Sequence, residues 1–190
     1  STPSNSSAAS DVYKRQASTQ EQIQIFDILF EHTDSLIEFT LKRKDIDFDI
    51  AKLSSYHDLI EIVRERLLQL IKDDDQYKSE LSNIIAAHPK LGVPKQIQGE
   101  LSELSKLEQK NLNDSQNNGP EIKEALIKLN DAYENKYKGL RFVCFVNGRN
   151  RVEIIGEMND ILNSSNSWNQ EAERAINAMC DIALDRFQKL

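Results

Sequence analysis

The sequence predicts an all-α fold, a single-domain bundle of about eight helices, and three observations carry that reading. Apolar residues recur at spacings of three and four along most of the chain, as they do on an amphipathic helix with one face in a core. The helical stretches are separated by short clusters of Pro, Gly, Asn and Asp. A length of 190 residues suits one domain with a single core, and there is no internal repeat.

Taken in order, Ile23, Phe26, Leu29 and Phe30 mark an amphipathic helix over Gln20 to Phe30, and a second is expected over about Asp34 to Lys44. Asp45 to Ile50 alternates acidic and apolar residues without a helical stripe and reads as a loop. From Ser55, the set Leu59, Ile62, Val63, Arg66, Leu67, Leu70 and Ile71 gives a third helix, ended by the acidic corner Asp73 to Asp75. Asp75 or Gln76 opens the next, with Tyr77, Leu81, Ile84 and Ile85 inward, and Pro89 ends it by disfavouring helical geometry at His88.

After the LGVPKQIQG loop, a helix is expected through Leu101, Leu104, Leu107 and Leu112, then a surface loop from Asn113 to Pro120. Glu121 to Tyr137 carries Ile122, Leu126, Leu129, Tyr133 and Tyr137 on one face and stops before Gly139. Phe142 to Val146 (FVCFV) is too short and β-prone for a helix and reads as a buried extended segment, turned by NGRN. Val152, Ile155, Met158 and Leu162 define another helix. NSSNSWN reads as a loop in which Trp168 is a packing anchor, and Ala172, Ile176, Met179, Ala183 and Phe187 mark a final long helix.

The first residues stand apart. One codon choice for Ser6 to Gln16 (SSAASDVYKRQ) spells a common transposase-based sequencing adaptor, so residues 1–16 are expected to be a disordered artefact, with a natural Ser-rich disordered arm as the alternative, and 17–190 the helical domain. A formal charge of −7 argues against a nucleic-acid surface, which needs clustered Lys and Arg. Two cysteines, Cys144 and Cys180, are too few for a disulfide framework or a zinc site and read as reduced core residues of an intracellular protein. No apolar run approaches the roughly twenty residues of a membrane helix, so no membrane partner is expected.

One stretch carries candidate chemistry. His88 sits at a helix-breaking His-Pro step, and twenty residues later Glu108 stands beside Gln109. An imidazole with an unperturbed pKa of about 6.5 can move a proton near neutral pH, while a carboxylate and an amide can hold the donors of a polar substrate. A plainer reading is also open. A histidine after a helix C-terminus interacts favourably with the helix dipole, and Ser105 with Glu108 has the S-x-x-E form of a capping box. His32 and His57 sit at helix boundaries and form no metal-ligand spacing. There is no G-x-S-x-G elbow, phosphate-cradling glycine loop or HExxH.

HPKLG, the EQ pair twenty residues on, the helix ending at Tyr137, RFVCFVNGR and the closing EAERAINAMCDIALDRFQKL together resemble the 2-oxo-4-hydroxy-4-carboxy-5-ureidoimidazoline (OHCU) decarboxylases of urate breakdown. The resemblance runs from about Ile23 to Leu190. It departs at Thr33-Asp34-Ser35, where the family commonly has Pro-Trp after FEH.

The resemblance implies a decarboxylation without cofactor, giving (S)-allantoin and carbon dioxide from a small anionic substrate. It implies His88 as proton donor with Glu108 as a catalytic partner, and Pro89 shaping the pocket. Ser105, Lys106, Leu107, Glu108 and Gln109 would hold the ureido and ring groups, and Phe142, Val143, Cys144, Phe145 and Val146 would line the pocket. Arg186 is the implied anion partner, with Arg149 and Arg151 as alternatives, and a homodimer is implied. The rival reading is a helical scaffold or interaction module; a second is a relative acting on another ureido or carboxylate compound. The terminal Gln188-Lys189-Leu190 partly matches a peroxisomal address and leaves peroxisome and cytoplasm open.

Overall fold

The computed structural model describes residues 19–42, 55–73, 75–92 and 119–190. Among these residues the chain forms seven α-helices and no strand, in agreement with the all-α expectation. They are α1 (Thr19–Leu29), α2 (Asp34–Phe39), α3 (Tyr56–Lys72), α4 (Lys78–Ala86), α5 (Pro120–Lys136), α6 (Arg151–Leu162) and α7 (Trp168–Gln188). The loop expected over 45–50, the helix expected through 101–112 and the segment 1–16 lie outside the described residues.

The longest helix, α7, packs most extensively on α3 and also meets α1 and α4, while α5 pairs with α6 and α2 with α4. Its buried face is built of Ala172, Ala175, Ile176, Ala178, Met179, Cys180 and Ala183. Small side chains there leave room for the larger Leu59, Ile60, Val63, Leu67 and Leu70 that α3 buries. Each such leucine removed from water contributes about 1.5–3 kcal/mol, so this contact dominates the core. At its rim, Arg64 of α3 donates to Asp181 at 2.8 Å and to the Asn177 side chain at 2.9 Å, fixing the register of the two helices.

Local sequence sets the helix starts. Thr33 and Ser55 accept from the third amide of α2 and α3, and Pro120 occupies the first turn of α5. Asn150 with Glu153, and Ser167 with Gln170, form reciprocal capping boxes at α6 and α7.

Three boundaries differ from the sequence expectation. Helix α2 ends at Phe39 and not near Lys44, because the Thr40 hydroxyl turns back onto the Leu36 carbonyl and its backbone leaves helical geometry. Helix α4 starts at Lys78, after Asp75 takes a positive φ of 59° that no helix accommodates. Trp168 is not in a loop: it is the first residue of α7, because the Ser167 capping box starts the helix there. Its indole still anchors, donating to the Lys138 carbonyl at 3.0 Å beneath the Lys78 ammonium.

Residues 141–146 are non-helical, with Phe142 and Val143 buried and Cys144, Phe145 and Val146 half-buried. Asn147 and Gly148, both at positive φ, then turn the chain toward α6.

The stretch 88–92 is tied to α5 at both ends. Lys90 pairs with Glu134 at 2.8 Å, and Asn130 donates to the Leu91 carbonyl at 3.0 Å. Gly92 closes the turn at φ +78°, where an added Cβ would lie 2.6 Å from Leu126 Cδ1. Gly92→Ala should therefore lower the unfolding free energy by about 1–2 kcal/mol from its backbone conformation alone. That appears as a lower urea midpoint at unchanged m-value, and an unchanged midpoint would contradict this geometry.

Candidate functional site

His88 follows the last turn of α4, whose terminal carbonyls have no helical partner of their own. Arg141 supplies one: its Nη1 donates to the carbonyls of Ala86 and His88, each at 2.7 Å, while its Nε pairs with Glu134. The guanidinium therefore fixes the backbone that carries the imidazole. The ring itself is 4 % exposed, and neither nitrogen makes a hydrogen bond of good geometry among the described residues, although the Ile85 carbonyl favours its protonated form.

An imidazole in that position resists protonation. Its pKa falls from 6.5 to about 4, chiefly because burial penalises the charged form. The Glu31 carboxylate opposes the fall, whereas the Arg186 and Arg141 guanidiniums add to it. Glu31 and Arg186 form a buried ion pair, Nη2 to Oε1 at 3.1 Å, and Arg186 Nη1 also donates to the Leu29 carbonyl at the end of α1. Folding thus brings three groups from positions 31, 88 and 186 into one electrostatic neighbourhood.

The non-helical segment beyond Arg141 is held by two more arginines. Arg174 of α7 donates to the Val143 carbonyl at 2.8 Å and stacks 4.7 Å from the Phe142 ring centroid. Its own charge meets Glu171, which also accepts from Tyr133 and Asn166. Arg149 donates to the carbonyls of Phe145 and Val146 and pairs with Glu157 at 2.6 Å. These carbonyls are occupied, whereas none of the N–H groups of Phe142 to Val146 donates to a backbone carbonyl among the described residues.

A family model for OHCU decarboxylase matches residues 15–188. The chain belongs to the OHCU decarboxylase family. It is accordingly a decarboxylase, a carboxy-lyase of urate degradation with a small-molecule substrate. No curated protein matches the sequence.

Within this family member, the Arg186 charge bears on the His88 ring, and Pro89 lies half-buried directly beside His88 in the chain. Ser105, Lys106, Leu107, Glu108 and Gln109 lie outside the described residues. Of the other arginines considered, Arg149 is committed to Glu157, and Arg151 is fully buried, which lowers its pKa. Neither contributes to the electrostatic surroundings of His88 as Arg186 does.

Cys144 and Phe145 line a surface cleft of about 440 Å³ together with Arg149, Glu157, Arg174 and Asp181. His88 and Arg186 are not part of its wall, and its charged groups are already paired with protein partners. The cleft is therefore separate from the histidine site. Burial pushes the Cys144 thiol up to about 11 and Cys180 up to about 12, so both stay protonated near neutral pH. Both are free, Cys180 in the core and Cys144 packed against its edge. No cluster of metal-ligating side chains occurs among the described residues, and none of their helices is long and apolar enough to cross a membrane.

Sequence reasoning missed Glu31 and Arg141. Glu31 was visible only as the middle of FEH, and Arg141 only as the cation preceding FVCFV. Neither spacing reveals a contact spanning 155 or 53 residues.

The depressed pKa of His88 makes stability depend on pH. Between pH 6.5 and about 4 the unfolded chain binds a proton at this ring that the folded chain does not, so folding stability falls as pH falls through that window. Wild type should lose about 3 kcal/mol more than His88→Gln between pH 7 and pH 4, measured by urea unfolding. Equal losses would contradict a ring buried in its neutral form.

Proposed function

We propose that this chain decarboxylates 2-oxo-4-hydroxy-4-carboxy-5-ureidoimidazoline to (S)-allantoin and carbon dioxide without a cofactor, with His88 as the proton donor. The observation that carries the reading is a buried imidazole whose ring nitrogens make no hydrogen bond of good geometry among the described residues, on a backbone clamped by Arg141. Buried polar groups are nearly always hydrogen-bonded, and leaving one unpaired costs about 1–3 kcal/mol, so such a ring calls for a partner that arrives with the substrate.

The chemistry fits these groups. The bond from the ring to the carboxylate breaks, carbon dioxide leaves, and the electron pair stays on the imidazoline ring, where adjacent unsaturated groups delocalise it. One proton then forms the new C–H bond on one face. Arg186 offers a guanidinium to the carboxylate before it leaves, and the N–H groups of Phe142 to Val146, which donate to no backbone carbonyl among the described residues, offer donors to ring and ureido oxygens. His88 is neutral in the free protein at neutral pH. A substrate carboxylate entering beside it favours the protonated ring, so the donor is charged as the substrate binds. Stereochemistry follows from the face that the fixed imidazole addresses.

His88→Ala should fold normally and lose about 10²–10⁴-fold in the rate of (S)-allantoin formation. The assay supplies freshly formed hydrolase product of hydroxyisourate and follows allantoin by circular dichroism. Near-normal optically active product from His88→Ala would overturn the role of this residue. Racemic product at the spontaneous rate from wild type would favour a scaffold over an enzyme.

A further inference from the structure

Glu31 lies in the short link between α1 and α2, where a carboxylate would ordinarily face water, yet it is 6 % exposed. Its neighbour His32 does face outward, toward Asp27 and Asp34. Glu31 turns inward onto Arg186, itself 1 % exposed near the end of α7. Burying such a pair costs desolvation about as large as the attraction it gains, so apolar residues would join these chain segments at least as well. Stability alone does not account for the pair.

Its location does. The charged groups that bear on the buried His88 ring come from three directions: Glu31 from the α1–α2 link, Arg186 from α7, and Arg141 from the segment after α5. Of these, only Glu31 favours a positive charge on the ring. Arg141 is committed to Glu134 and to the carbonyls of Ala86 and His88. Arg186 is held from two sides, by Glu31 and by the Leu29 carbonyl.

We propose that Glu31 is a positioning residue of the decarboxylation site: its carboxylate fixes the Arg186 guanidinium and is the negative charge against which the His88 ring takes up and releases its proton. This rests on the reading of His88 as the proton donor. Glu31 acts through Arg186 and His88, without forming or breaking a bond to the substrate. Without its charge, the one carboxylate seen to favour a charged His88 is gone while Arg186 still disfavours it, and the protonated donor is harder to form in the substrate complex.

The test is the pH profile of kcat for Glu31→Gln in the full-length chain, with its fold checked by circular dichroism. If the donor must be protonated, activity falls as pH rises through the pKa of His88 in the complex. The alkaline limb of kcat in Glu31→Gln should therefore move to lower pH by about one unit, and kcat above that limb should fall about tenfold. An intact fold with lower kcat and an unmoved limb would overturn the proposal, since a merely structural role does not shift a titration. If Glu31→Gln fails to fold, Glu31→Asp carries the test: the charge withdraws by one methylene, and the limb moves the same way by a smaller amount. An unmoved limb in that variant also overturns it. Racemic product at the spontaneous rate from wild type refutes the decarboxylase reading itself, whereas an active wild type with an unmoved limb in the variants refutes the Glu31 role alone.

Discussion

The burial of α7 against α3 and α1 is the contact on which the histidine site depends. Its alanine-rich face lets the helix seat deeply, and seating it delivers two arginines to separate places. Arg174 reaches the Val143 carbonyl and the Phe142 ring, and Arg186, about 18 Å further along the axis, reaches Glu31 and the end of α1. A helix held only at its surface would leave both guanidiniums in water. Because the core grips α7 along its length, the segment around Phe142 and the end of α1 are both set by one rigid rod.

His88 lies between these consequences. The His-Pro step stops α4, which frees carbonyls that a helix would otherwise use, and Arg141 captures them. The same arginine that orders the backbone lowers the proton affinity of the ring. Burial works in the same direction and more strongly, and Glu31 works against both. The His88 ring is thus neutral and held close to a charge balance that an arriving anion can tip. In water these charges would be screened; inside the core they are not.

Much of the scaffold was legible in the sequence because amphipathic periodicity is a local property. The stripes through Leu59 to Leu70 and through Leu126 to Tyr133 mark α3 and α5 within a residue or two of where they lie. Boundaries failed where a single side chain competed with the backbone: the Thr40 hydroxyl ended α2 early, and left-handed Asp75 delayed α4. Trp168 opens α7 because the Ser167 and Gln170 capping box starts a helix directly after the polar run, a local signal that the run obscures. At the site, the His-Pro step and the LG turn singled out His88, and the resemblance singled out Phe142 to Val146 and Arg186. The Glu31–Arg186 pair was not legible, since an ion pair across 155 residues leaves no periodic trace.

The sequence by itself determined the fold class, the order of the described helices and the family, because hydrophobic period, helix breakers and motif order are all written along the chain. Tertiary structure alone decided that the His88 ring is buried, that Arg186 bears on it electrostatically while paired with Glu31, and that Arg141 clamps its backbone. The physical reason is that charge, desolvation and hydrogen-bond satisfaction depend on distances through space. Those distances are established only when α7 packs into the core and brings Arg186 onto Glu31 across 155 residues.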